Sequence, residues 1–258
     1  MRTQTCSIAI KGLQLVLAVV VAGLSSGVAV SGAGDPLDVK RVTLNLRDAD
    51  LAEITRALSE QLRASVCVEY GRSGLDNSNP PRFTLNINDV SARQALDTIS
   101  RIMGSHLWRH TEAPLTINLT PRHLVDDPNW MPNRKCPGFK LENAPIWDIV
   151  DKTLNPLLGL EGEDKLILSM PSAYSLMGRP GEKWEDHPVV KFYRRRITAT
   201  IKPGGLRDVL NQIVLAMGDA RWSYEEMRRG ELKMNVLSIC PIEANLTPQP
   251  DASVPPAE

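Results

Sequence analysis

The sequence predicts an α+β fold: two tandem domains, each built from two strand-helix-strand units whose helices pack against small sheets. Three observations predict it. One segment recurs along the chain. Inside each copy the apolar spacing changes from two to 3.6, as it does where a strand runs into a helix. The helix starts and stops carry capping residues.

The first copy, 42–70, reads VTLNLRDADLAEITRALSEQLRASVCVEY, and the second, 83–111, reads FTLNINDVSARQALDTISRIMGSHLWRHT. At an offset of 41 they share Thr43/Thr84, Leu44/Leu85, Asn45/Asn86, Asp48/Asp89 and Ser59/Ser100. A third copy, 197–225, matches the second at an offset of 114. Its identities are Thr84/Thr198, Ile87/Ile201, Arg93/Arg207, Leu96/Leu210, Ile99/Ile213, Met103/Met217, Gly104/Gly218 and Trp108/Trp222. A weaker fourth copy begins at Phe139 and keeps only the strand, the loop and the helix start.

Each copy opens on a period-two strand, such as Val42, Leu44, Leu46 or Phe83, Leu85, Ile87. Polar turns follow at 47–50, 88–91 and 202–205. Ala92, Ala95, Leu96, Ile99 and Met103 then form one apolar helix stripe. Leu206, Val209, Leu210, Ile213 and Met217 repeat it, and Leu51, Ile54, Leu58 and Leu62 repeat most of it. Asp50 with Glu53, and Ser91 with Gln94, have the spacing of an N-cap and its reciprocal partner. Gly104 and Gly218 fall where a left-handed C-terminal cap belongs. The chain returns to strand at 107–109 and 221–223, and 115–119 and 232–239 add one strand each.

These elements place a first domain at 34–120 and a second at 136–245. Four prolines in 121–137 mark 121–135 as a linker, because proline fixes the backbone and removes donors. The second domain contains an insertion at 169–190. The tail 246–258 has four prolines in 13 residues and reads as disordered.

The V/F-T-L-N-L/I strand, the polar turn, the stripe helix and the second strand together resemble the secretin and TonB N-terminal short domain. The resemblance rests on 42–62, 83–119 and 197–239. It implies helices sandwiched between two small sheets, a periplasmic setting and partner proteins. No channel or barrel segment follows in this chain.

Residues 1–33 read as a signal peptide. Arg2 and Lys11 are the only charges before Asp35, an apolar run spans 12–24, and small residues follow to Ala33. The expected location is periplasmic or secreted; the alternative is an uncleaved inner-membrane anchor facing the periplasm. Cys67, Cys136 and Cys240 remain after such a cleavage. If the strands of Cys136 and Cys240 are antiparallel neighbours, a disulfide between them would close a loop of about 100 residues and stabilise by about 4–5 kcal/mol.

The 258 residues carry 30 basic and 30 acidic side chains, a balance that argues against a nucleic-acid partner. Aromatics are only 5%, too few for a sugar or base platform. His106 and His110 flank Trp108 in a strand, about 13 Å apart, so one metal ion cannot bridge them. No metal, cofactor or catalytic motif is assigned. Trp108 and Trp222 repeat at one structural place and read as core. Trp130 in the linker and Trp184 in the insertion are interface candidates. So are Arg194, Arg195 and Arg196, whose other reading is protection of a strand edge.

The expected function is a non-enzymatic protein-interaction module of the bacterial envelope, accessory to an assembly or signalling system, with free sheet edges that accept a partner strand. The alternatives are a hydrolytic site built by 169–190 around Glu185, Asp186 and His187, and an N-terminally anchored spacer.

Overall fold

In the computed structural model, which describes residues 35–74, 81–111, 114–169, 185, 187–229 and 231–242, the repeated unit takes the form its apolar spacing requires. A single turn, α1 (Pro36–Val39), precedes β1 (Arg41–Ala49), α2 (Leu51–Leu62) and β2 (Ser65–Gly74). The path repeats as β3 (Phe83–Ser91), α3 (Ala92–Met103) and β4 (His106–Thr111), and β5 (Thr116–Pro121) forms a hairpin with β4. In the second half, β6 (Lys135–Cys136) and β7 (Phe139–Pro145) lead into a broken helix. It consists of α4 (Ile146–Asp148), a wide π turn over Ile149–Leu154 and α5 (Asn155–Leu157), and β8 (Leu166–Ser169) follows. Then come α6 (Pro188–Tyr193), β9 (Arg196–Ile201), β10 (Gly204–Gly205), α7 (Leu206–Met217) and the hairpin β11 (Ala220–Arg229) and β12 (Leu232–Pro241).

The capping chemistry closes as the spacing requires. Asp50 Oδ1 accepts from the Glu53 N–H, and Glu53 Oε2 accepts from the Asp50 N–H, both at 2.8 Å. Ser91 and Gln94 make the same reciprocal pair at 3.2 Å. Gly104 and Gly218 end α3 and α7 at φ +64° and +85°, where a side chain would be strained.

The repeated threonine has a structural role. Asp48, Asp89 and Asn143 take positive φ at bulges in β1, β3 and β7. At each bulge the backbone N–H donates to a threonine hydroxyl on the facing strand. Asp48 uses Thr84 (3.4 Å), Asp89 uses Thr43 (3.1 Å) and Asn143 uses Thr198 (3.1 Å).

β1 pairs with β3, and β7 with β9, as two-stranded antiparallel sheets. The remaining long strands form one six-stranded sheet, in the order β4-β5-β2-β11-β12-β8. The halves therefore do not stand apart as tandem domains. β2 of the first half pairs in parallel with β11 of the second, and the described residues fall in one compact unit. The register places Val68 beside Ser223 and Glu69 beside Tyr224. Neighbours in register point to the same face, so Val66 and Val68 face α2 and α3 while Cys67, Glu69, Trp222 and Tyr224 face α7. The helices of the two halves consequently cover opposite faces of the shared sheet, over opposite ends of it.

Residues 121–135 are not a free linker. Two short turns there, Arg122–Leu124 and Met131–Asn133, bury Leu124, Trp130 and Met131 in the second half's core. The proline at 132 shapes one of these turns rather than extending the chain. Cys136 and Cys240 are free thiols. Cys136 belongs to the core beneath α7, while Cys240 stands opposite Arg221, whose guanidinium donates to Thr55 of α2 on the other face of the sheet. The expected disulfide is overturned because the strands are not neighbours: β6 pairs with β10, and β12 with β11 and β8. The expectations for 1–33, Trp184, most of 169–190 and 246–258 lie outside the described residues. Among the described residues no helix is long and apolar enough to cross a membrane.

Candidate functional site

The six-stranded sheet ends in β4 on one side and β8 on the other. Both have an unshifted register with their single neighbour. In the small sheets, by contrast, β1, β3 and β7 carry the positive-φ bulges, which bend a strand and discourage further pairing. β4 is thus a regular six-residue edge, and its free backbone groups can accept a strand.

The repeat supplies an internal control for β4, because β11 is its counterpart. Trp108 donates to Asp97 Oδ1 and Trp222 to Asn211 Oδ1, both at 2.8 Å and both in corresponding places on α3 and α7. Yet Trp222 is 1% exposed, while Trp108 is only half buried. The next inward position shows the same contrast, with Tyr224 buried and His110 half buried. On β11 the tryptophan is flanked by Ile239 of β12 and, across the junction, by β2. On β4, Leu119 of β5 flanks one side, and no described strand lies on the other. A hollow of about 370 Å³ beside β4 and α3 is lined in part by Asp97, Arg101, Gly104, Trp108 and Arg122. Arg101, Arg109 and Arg122 are exposed and have no ion-pair partner among the described residues.

The sealed junction is held by a buried carboxylate that sequence reasoning missed. Glu69 is fully buried on β2. Arg207 at the start of α7 grips it with two bonds, Nε to Oε1 at 2.5 Å and Nη2 to Oε2 at 3.1 Å. Trp130 Nε1 donates to Oε2 at 2.5 Å and the Thr120 hydroxyl to Oε1 at 3.2 Å. A buried charge is tolerated only when paired and hydrogen-bonded in this way. The available signals were a glutamate inside the apolar run Val66–Tyr70 and the repeated Arg93/Arg207. Beside this hub, Glu226 is 2% exposed and meets Arg228 (2.7 Å), Arg72 (3.3 Å) and Lys233 (3.7 Å). These bonds occupy both carboxylates with fixed partners.

The other expected site residues divide. Trp130 is not a surface residue; it is 0% exposed, edge-on to Tyr224 at 4.9 Å, and committed to Glu69. Arg194, Arg195 and Arg196 are exposed, but two of them act locally. Arg195 pairs with Asp219 and lies over Phe192, and Arg196 donates to the Asn143 carbonyl at 2.9 Å. Only Arg194 is left without a partner among the described residues. His187 is buried, and its Nδ1 accepts the Val189 N–H at the start of α6. Asp186 lies outside the described residues.

The three described thiols are held protonated. Burial pushes Cys67 up to about 12 and raises Cys136 and Cys240 as well, so none is poised as a nucleophile. Among the described residues no three His, Cys, Asp or Glu side chains converge to hold a metal ion. No protein-family model and no curated protein matches this chain.

Proposed function

We propose that this chain is an exported, non-enzymatic protein-interaction module of the bacterial envelope, accessory to an assembly or signalling system, that takes a partner strand along β4. The carrying observation is the contrast between twin strands: β11 is sealed by β2, whereas β4 presents a regular edge, a half-buried Trp108 and three arginines without an ion-pair partner among the described residues. Strand addition would give β4 the environment that β11 already has. The leader-like residues 1–33 and the resemblance to envelope domains support the location.

A photocrosslinking residue at Arg109 on β4, compared with one at exposed Glu60 on α2, tests this reading in cells. Arg109 is expected to capture a discrete protein product that Glu60 does not. Identical products from both sites, or none from Arg109, overturn it.

A further inference from the structure

The junction inside the chain also points to the chemistry of the strand that β4 accepts. This inference rests on the reading of β4 as a strand-accepting edge and goes on to name what the strand carries. Where β2 meets β11, Glu69 stands in register with Tyr224, and Arg207 of α7 holds its carboxylate with two bonds. At the repeat offset of 114, Tyr224 corresponds to His110 on β4 and Arg207 to Arg93 on α3. The first half also has a carboxylate at this place, but supplies it from its own chain. Asp35, just before α1, pairs with Arg93, and its Oδ2 lies 3.7 Å from His110 Nε2. Asp35 therefore stands to His110 and Arg93 as Glu69 stands to Tyr224 and Arg207.

The two carboxylates are held with different firmness. The Arg207 and Glu69 side chains are 16% and 0% exposed, and Glu69 also accepts from Trp130 and Thr120. The Arg93 and Asp35 side chains are 36% and 24% exposed, and Arg93 is shared with Asp38 at 2.8 Å. An ion pair open to water contributes little and exchanges readily. His110 Nε2 is buried and has no hydrogen-bond partner. The surroundings favour a further anion, because Arg101, Arg109 and Arg122 are exposed without an ion-pair partner among the described residues. We propose that β4 takes an acidic strand: the strand runs parallel to β4 with a carboxylate side chain in register with His110, and Arg93 exchanges Asp35 for it. Carrying the internal register across uses Arg109 and His110 in the places of Ser223 and Tyr224.

A peptide copied from β2 tests this on the full chain. The probe is fluorescein-labelled 65–71, SVCVEYG with Cys67→Ser, and its control carries Glu69→Gln as well. Anisotropy reads affinity, and a photocrosslinking residue at Arg109, compared with one at Glu60, reads the place of binding. The glutamate peptide is expected to bind about tenfold or more tightly than the glutamine peptide, as a charged two-point bond supplies. Arg93→Met should remove that preference. Asp35→Asn keeps an oxygen to cap the Leu37 N–H but loses the competing charge, so it should bind the glutamate peptide more tightly than the wild type does. Both variants should keep the wild-type circular dichroism. Equal binding of the two peptides, a preference that survives Arg93→Met, or no gain from Asp35→Asn each overturns the proposal. If neither peptide binds while Arg109 still captures a discrete protein in cells, the β4 reading stands and only the carboxylate exchange falls. If Arg109 captures nothing as well, both fall.

Discussion

The two halves use the same arginine in opposite ways. Arg93 and Arg207 occupy one position near the start of α3 and α7. Arg93 stays within its own half, reaching Asp35 and Asp38 around α1 and lying 5.6 Å over Trp108. Arg207 crosses to the other half and grips the buried Glu69. One repeated residue thus closes a surface in the first half and fastens an interior junction in the second. The comparison teaches that the unit dictates where the arginine stands, while its neighbour strand dictates what the arginine does.

Breaking each twin in turn should separate these roles most sharply. Arg207→Ala would leave the Glu69 carboxylate buried and facing only Trp130 and Thr120, and should cost about 3–5 kcal/mol. Arg93→Ala removes ion pairs from an exposed side chain and should destabilise far less than Arg207→Ala. Urea unfolding of the two variants measures the difference; equal losses would mean that the Glu69 hub does not fasten the halves.

The tryptophan partners sharpen the same contrast at a smaller scale. Asn211→Ala strands the buried Trp222 N–H without an acceptor and should cost about 1–3 kcal/mol. Asp97→Ala leaves the Trp108 N–H at the rim of an open hollow, where water can accept it, and should cost less than about 1 kcal/mol. If Asp97→Ala proves as costly as Asn211→Ala in urea unfolding, β4 is not the open member of the pair.

How the sequence could be read follows the same division. The stripes of α2, α3 and α7, their N-terminal boxes and the glycine stops are local, so spacing alone exposed them. The union of two small sheets into one was hidden, because β2 and β11 are joined by backbone pairing between segments about 150 residues apart, and pairing leaves no residue signature. The segment 121–135 departs from the linker its prolines suggest for a related reason. Proline content suggests an extended path, but Trp130 is anchored by a glutamate that lies 61 positions away in the chain. The broken helix of the fourth copy matches its weak repeat: the π turn at Ile149–Leu154 displaces the apolar stripe by a residue. For the candidate site, the repeated tryptophan was legible as core, but the open side of Trp108 depends on which edge the chain itself covers.

Where the units agree, the halves should respond alike. Thr43→Val, Thr84→Val and Thr198→Val each remove the acceptor for one bulge N–H and should each cost about 0.5 kcal/mol, since the freed N–H is near solvent. Equal losses at Thr84 and Thr198 in urea unfolding would confirm that bulge chemistry is a property of the unit. A loss confined to one half would tie it to the surroundings.

The smallest expected effect comes from a position where the twins differ in kind. His106 on β4 corresponds to Ala220 on β11, so only the first half places a titratable group there. His106 is buried; its Nε2 lies 3.0 Å from the Glu69 carbonyl and its Nδ1 lies 2.9 Å from the Ser105 hydroxyl. A neutral ring protonated on Nε2 satisfies both contacts, donating to the carbonyl and accepting from the hydroxyl. Burial holds the ring below its ordinary 6.5, with the Glu69 carbonyl and carboxylate opposing that shift and His123 adding to it. The unfolded chain therefore binds this proton first as pH falls. The neutral ring's contribution is present above 6.5 and is lost as pH drops from there toward the lowered value in the fold. Asp89, held down by Arg41, and Asp127, held down first by the Asn129 N–H and then by Arg72, act in a separate, more acidic window below the ordinary 3.8. Urea midpoints measured at steps below 6.5 should decline in the wild type and decline less in His106→Gln. An unchanged slope in that variant would place the pH dependence in another group and remove this distinction between the halves.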